Sequence, residues 1–176
     1  MKKPWQTLSR LIDYKNPYWQ VRKDKVIKPD GSKGFYYVVD VRDAVFIVAL
    51  EGRSVYLVRQ WRYPINRNSW ETSRGIMNRG ETPVNAAKRE LREETGLTAK
   101  KWKKIGFSYL ANGLTNQAFH VFLAQQLMPG KAKLDPGEHD LITKKFLIKK
   151  VDEMIRSGIL TDSPTIVSFY YLKKFL

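Results

Sequence analysis

Gly75-Ile76-Met77-Asn78-Arg79-Gly80-Glu81-Thr82-Pro83-Val84-Asn85-Ala86-Ala87-Lys88-Arg89-Glu90-Leu91-Arg92-Glu93-Glu94-Thr95-Gly96-Leu97 reads as a loop that runs into a single helix. Pro83 fits a first helical turn, Ala86, Ala87 and Leu91 supply an apolar stripe, and Gly96 is a glycine C-cap. On that helix Glu94 lies four residues after Glu90 and Glu93 three, so their carboxylates project from one side. An acidic face with interspersed basic residues is commonly a solvated, salt-bridged surface. Adjacent carboxylates repel, however, and a divalent cation would relieve the repulsion. Hard oxygen ligands of this kind suit Mg²⁺ or Mn²⁺. Arg89, four residues before Glu93, can hold that carboxylate with its planar fork, and Gly75 and Gly80 let the preceding backbone approach a ligand closely. A loop carbonyl there could complete a coordination shell, and the chemistry implied is hydrolysis at phosphorus.

Working outward, two pairs of strands precede this segment. Residues 18–26 and 34–41 alternate around the turn-forming Pro29-Asp30-Gly31-Ser32, which predicts a hairpin. Residues 44–50 and 54–60 are nearly continuous in Val, Ile and Leu, which predicts central strands buried on both faces. After the helix, residues 103–109, 117–124 and 144–147 read as strands. Two more helices follow: one over residues 149–157 ends at Gly158, and one is capped by Asp162-Ser163-Pro164. Strands flanking a central helix, with helices again at the end, predict a mixed α/β sandwich with a helix on each face of the sheet.

Composition narrows the chemistry. In 176 residues there is no cysteine and there are only two histidines, His120 and His139, so thiolate metal sites, disulfides and cysteine nucleophiles are excluded and a metal must be held by oxygen. No apolar run is long enough to span a bilayer, and the first residues lack a signal-peptide pattern, which leads us to expect a cytoplasmic protein without a membrane partner. The net charge of +15 favours anionic partners. Its lysine pairs are scattered along the chain, as on a solvated surface, so nucleic acid is not the expected partner.

The quoted stretch resembles the Nudix signature. The pattern is Gly, five residues, Glu, seven residues, then Arg-Glu-aliphatic-any-Glu-Glu-any-Gly-aliphatic, and Gly75, Glu81, Arg89, Glu90, Leu91, Glu93, Glu94, Gly96 and Leu97 fill its fixed positions. The resemblance implies a Nudix fold, an α/β/α sandwich with a mixed sheet. It also implies hydrolysis of a nucleoside diphosphate linked to another group. It casts Glu90 and Glu94 as main metal ligands for Mg²⁺ or Mn²⁺, Glu93 as a further ligand or water activator, and Arg89 as the orienter of Glu93. Glu81 becomes a loop-bracing acid within water-mediated reach of the metal.

Val58-Arg59-Gln60-Trp61-Arg62-Tyr63-Pro64, Trp70-Glu71, Gly113-Leu114-Thr115-Asn116 and His120-Val121-Phe122-Leu123-Ala124 are similar to the branch acting on ADP-ribose and related nucleotide sugars. That resemblance implies a homodimer, with residues 1–42 as an N-terminal antiparallel hairpin extension at the dimer contact and 43–176 as the hydrolase domain. It also implies that Arg62 binds the diphosphate. Trp19, Trp61 and Tyr63 are stacking candidates, although an aromatic between strands is more often core. Glu71 joins the substrate-binding set. The branch places a catalytic glutamate on a late mobile loop, and Asp135-Pro136-Gly137-Glu138-His139-Asp140 fits, with Glu138 the candidate base ahead of His139 and Asp140. The base is thus Glu93 or Glu138.

Two departures weaken specificity for ADP-ribose itself. Thr72-Ser73-Arg74 replaces Leu-Pro-Ala ahead of Gly75, which makes the Arg74 backbone carbonyl the candidate metal ligand, and Asn112 stands where the branch commonly has proline. A broader nucleoside diphosphate sugar hydrolase, releasing a nucleoside monophosphate and a sugar phosphate, demands less. The alternatives are an RNA 5′-end pyrophosphohydrolase and a Nudix module that binds a nucleotide sugar without cleaving it.

Overall fold

The computed structural model describes residues 4–176, and the chain divides into two compact units. One comprises the chain up to Asp43 together with Tyr109–Ala118; the other comprises Ala44–Ser108 and Phe119–Leu176.

The first unit is an antiparallel sheet of β1 (Gln6–Lys15), β2 (Trp19–Ile27) and β3 (Lys33–Val41). Strands β2 and β3 pair from Trp19↔Val41 to Ile27↔Lys33. The Asp30 carboxylate accepts from the Ser32 N–H and hydroxyl at 2.9 and 2.8 Å, and Gly31 takes the left-handed conformation the turn needs, φ 83°. Strand β1 was not expected. Every residue in it is exposed and two register shifts interrupt its pairing with β2, so neither burial nor alternation marks it in the sequence. The Gly113–Asn116 stretch joins this sheet: Val39 N–H donates to the Leu114 carbonyl at 2.9 Å, and the Asn116 amide donates to Asp40 at 2.6 Å.

The second unit is built on a mixed sheet ordered β10-β5-β4-β9-β8, comprising β4 (Ala44–Glu51), β5 (Ser54–Arg62), β8 (Thr98–Tyr109), β9 (Ala118–Met128) and β10 (Ile142–Leu147). Short strands β6 (Arg67–Glu71) and β7 (Ser73–Ile76) pair with β5 and β4. Strand β4 runs parallel to β9 and antiparallel to β5 and β7. Its alternation sorts two cores. Val45, Ile47 and Ala49 pack with Ala86, Ala87 and Leu91 of α1 (Pro83–Thr95), while Phe46, Val48 and Leu50 pack with α2 (Ile148–Arg156) and α3 (Ser163–Leu172). A continuous apolar strand is what a sheet covered on both faces requires. The architecture is therefore the expected α/β/α sandwich with a mixed sheet and an N-terminal antiparallel extension. Among the described residues no helix is long and apolar enough to cross a membrane.

Helix α1 begins and ends where its sequence dictates. The Thr82 hydroxyl accepts from the Asn85 N–H, Pro83 opens the first turn, and Gly96 at φ 72° closes the last. Its apolar side is anchored by fully buried Leu91, whose burial stabilises by about 1.5–3 kcal/mol. The opposite edge of that buried stripe carries Glu90 and Glu94.

Candidate active site

Glu90 and Glu94 are buried on the side of α1 that faces β7, an unusual place for carboxylates. Arg89 organises the group. It grips Glu81 through Nε and Nη2 at 3.0 Å each, and donates through Nη1 to Glu90 at 2.6 Å and to Glu93 at 3.0 Å. Its Nη2 also reaches the Ile76 carbonyl at 3.3 Å. Glu81 in turn accepts the Asn78 N–H at 2.9 Å, so one guanidinium ties the loop before the helix to the helix itself. These ion pairs hold the Arg89 guanidinium protonated well beyond its ordinary range, with Glu81 the largest contributor.

Glu94 accepts the Arg74 backbone N–H at 3.0 Å, which fixes β7 against the helix. Burial pushes the Glu94 carboxyl up to about 8, and the charges of Glu90 and Glu138 push the same way. Burial likewise raises Glu90 to about 7 against the opposing pull of Arg89, with Glu93 and Glu138 adding to the rise. The loop residue Glu138 therefore sits near enough to feel both buried carboxylates. Its own carboxylate accepts from the Asp135 N–H at 3.3 Å, completing a capping box over Pro136–Glu138.

That loop is tied to β5 rather than left in water. Asp140 accepts the Trp61 N–H at 2.6 Å, and the Gln60 amide donates to the Gly137 carbonyl at 3.3 Å. Asp140 thus anchors the loop through backbone, while His139 is exposed.

A second cluster lies on β5, β6 and β7. Arg62 grips Glu71 through Nε at 3.0 and 3.2 Å and through Nη2 at 2.5 Å, and Arg74 reaches the same carboxylate at 2.7 Å. Burial opposes ionisation of Glu71, yet the two guanidiniums outweigh it and hold its carboxyl below the usual range. With 1% of its side chain exposed, Glu71 is buried between these two arginines. Arg62 remains partly exposed; Trp61 and Tyr63 are exposed, Tyr63 at 89%. Trp19 belongs to the first unit, where its ring packs on Tyr14 with centroids 5.3 Å apart.

Sequence reasoning missed Asp162 as more than a cap. It caps α3 by accepting from the Thr165 N–H at 3.0 Å and also pairs with Arg74 Nη1 at 3.0 Å. The signal was Arg74 itself, a guanidinium in a position where the resembled branch has alanine.

The donor set fits a divalent metal in kind: Glu90, Glu94 and Glu93 are hard oxygen donors, and the first two are buried carboxylates whose charge a cation would offset. Among the described residues no three acids or histidines converge as a ready-made cage; Arg89 occupies Glu90 and Glu93 instead.

Fold and site together define a hydrolase of the α/β/α sandwich class with a carboxylate-bearing helix. The chain belongs to the NUDIX family, whose domain model matches residues 40–152, and residues 5–39 match the nucleoside diphosphate sugar hydrolase N-terminal domain. It is 32% identical over 148 residues to an ADP-ribose pyrophosphatase of Bacillus subtilis, covering 82% of this chain and 80% of that one. With an ADP-ribose pyrophosphatase of Mycobacterium tuberculosis it shares 29% over 162 residues, 90% and 78% of the two chains. The crystal structure of an ADP compounds hydrolase superposes with a TM-score of 0.87 over 98% of this chain and 94% of that one at 18% identity, a likeness of fold.

Proposed function

We propose that the protein is a metal-dependent pyrophosphohydrolase that cleaves the diphosphate of nucleoside diphosphate sugars, ADP-ribose among them, to a nucleoside monophosphate and a sugar phosphate. The observation that carries this reading is the pair of buried carboxylates, Glu90 and Glu94, held at the junction of helix and loop by Arg89 and the Arg74 N–H. The two relatives named as ADP-ribose pyrophosphatases and the match at residues 5–39 support the substrate class.

In this reading Glu90, Glu94 and Glu93, with the Arg74 carbonyl, would hold Mg²⁺ or Mn²⁺. When bound, the metal neutralises charge on the diphosphate oxygens and lowers the pKa of a water. Arg62 contributes a positive charge toward the diphosphate while Glu71 keeps its fork in place. Arg89 orients Glu93, leaving Glu93 or Glu138 to accept a proton from the attacking water. The charge of Glu138 is felt at both buried carboxylates, which supports the choice of Glu138. Trp61 and Tyr63 offer exposed rings for stacking, and Trp19 offers one on the N-terminal sheet.

We also propose a cytoplasmic homodimer formed through the N-terminal sheet. Its support is β1, an edge strand that leaves Leu8, Leu11, Ile12 and Tyr14 exposed, a stretch that a second copy would cover. Sedimentation of the intact chain should give twice the monomer mass.

The decisive experiment is a substrate panel of ADP-ribose, ADP-glucose, GDP-mannose, UDP-glucose, dinucleoside polyphosphates and 5′-triphosphate RNA, assayed with Mg²⁺ and then Mn²⁺. Turnover of the nucleotide sugars is expected. Turnover confined to RNA, or binding with no turnover at all, would reject the reading.

A further inference from the structure

A cavity of about 540 Å³ in the second unit is lined by three arginines, Arg62, Arg67 and Arg74, together with Ser69, Glu71 and Asp162. Three guanidiniums against two carboxylates leave a surplus of one positive charge. The distribution of partners locates that surplus. Arg62 and Arg74 share the single carboxylate of Glu71, and Arg74 also pairs with Asp162. Arg67, exposed at the cavity wall, contacts only a neutral partner, the Thr161 hydroxyl; among the described residues no carboxylate pairs with it. Arg62 uses Nε and Nη2 on Glu71, which leaves Nη1 outside that fork.

The cavity is linked to the candidate catalytic group through Arg62, which lines it and feels the charge of Glu94, while the Arg74 side chain lies over Phe46 on the α3 side of the sheet. A guanidinium set with unspent donors and net positive charge suits the planar or tetrahedral oxygens of an anion, and Arg makes such contacts bidentately. The scissile diphosphate has the metal site and Arg62 to itself in the reading above. Arg67 is therefore additional to what hydrolysis requires, while Arg74 is held by Glu71 and Asp162.

We infer that this pocket selects nucleoside diphosphate sugars whose sugar carries its own anionic group, a phosphate or a carboxylate, with Arg67 as the specificity-determining residue. The inference rests on the hydrolase reading and narrows its substrate class. Asp162 and Glu71 keep Arg74 in place, so a neutral sugar enters without a partner for Arg67, and a charged one supplies it.

The test compares matched pairs, UDP-glucose with UDP-glucuronate and ADP-ribose with ADP-ribose 1″-phosphate, in the wild type, Arg67→Gln and Arg67→Glu. The wild type is expected to favour the charged member in kcat/KM by about tenfold, the step one charge-assisted pair carries. Arg67→Gln should reduce that ratio toward one and Arg67→Glu should invert it, with unchanged melting temperatures because Arg67 is exposed. Turnover of both members with a ratio that neither variant alters overturns the pocket while leaving the hydrolase intact. Failure of the wild type to turn over either member with Mg²⁺ or Mn²⁺ overturns both readings. A phosphate preference without a carboxylate preference, abolished by Arg67→Gln, supports the inference and assigns the anion as phosphate.

Discussion

Gly75 on β7 lies directly beneath the carboxyl group of Glu90 on α1: a Cβ at position 75 would run into that carboxyl group's carbon and both its oxygens. The glycine is there for space, not for backbone freedom, because its φ is not in the left-handed region. Gly75→Ala must push Glu90 away from Arg89 or spread the helix from the strand. Overpacking of this kind costs about 1–3 kcal/mol. We expect a lower melting temperature together with a fall in kcat that exceeds any change in substrate KM. A crystal structure of the variant with Glu90 undisplaced and full turnover would refute it.

Glu94→Gln separates chemistry from stability. Glutamine keeps an oxygen for the Arg74 N–H and replaces a buried carboxyl that ionises only at a cost, so the fold should hold and the metal-free protein should melt no earlier than the wild type. Hydrolysis should drop a hundredfold or more, since even residues that merely orient metal ligands are felt at about 10–100-fold. Wild-type turnover in this variant would reject Glu94 as a ligand.

Much of this was legible in the chain. Pro83 and Gly96 foretold where the helix begins and ends, the fixed positions between Gly75 and Leu97 foretold the loop before it, and nearly continuous apolar runs foretold β4 and β5 as central. Strand β1 was illegible because nothing in it is buried, so its residues carry no alternation to read. The pairing of Arg62 and Arg74 on Glu71 was illegible for a different reason: the partners come from β5, β6 and β7, and only the sheet brings them together. Glu71 entered the substrate-binding set through the resemblance carried by Trp70-Glu71, and its burial between two guanidiniums could be seen only in the fold.

Without metal, stability should fall as pH rises. Glu90 and Glu94 have folded-state values near 7 and 8, above the ordinary 4.5 of an unfolded chain, so the folded protein holds protons that the unfolded one releases. Their contribution is fully present below about 4.5 and is lost as pH climbs through 7 to 8. In EDTA the melting temperature should therefore decline from pH 5 to pH 8.5, and excess Mg²⁺ should flatten that decline by taking the place of the protons. Scanning calorimetry at fixed ionic strength decides it; a flat or rising profile in EDTA would contradict the raised values.

Glu138→Gln tests the loop base. Position 138 braces its own short helix through the Asp135 N–H, a contact that glutamine can also accept, so the loop should stay anchored by Asp140 and Gly137. Loss of a general base lowers kcat by about 10²–10⁴-fold. Calorimetric Mn²⁺ affinity should persist, which sets this variant apart from Glu94→Gln. Unchanged kcat would pass the role to Glu93.

Glu71→Gln probes how Arg62 is held. The glutamate is buried and shared, so its neutral replacement leaves Arg62 and Arg74 facing an amide whose nitrogen donates instead of accepting. Arg74 keeps Asp162, whereas Arg62 has no second acid among the described residues and is the side chain set free. The pair is only partly screened from water, so the stability cost should be about 1–3 kcal/mol, the penalty for leaving one buried partner unsatisfied. If Arg62 binds substrate through geometry that Glu71 imposes, substrate KM should rise more than kcat falls. Arg62→Lys should mimic the effect, because an ammonium cannot reproduce the fork. Equal losses in kcat and kcat/KM would instead tie Glu71 to the chemical step, and that outcome would break the assignment of Glu71 as a residue that positions Arg62.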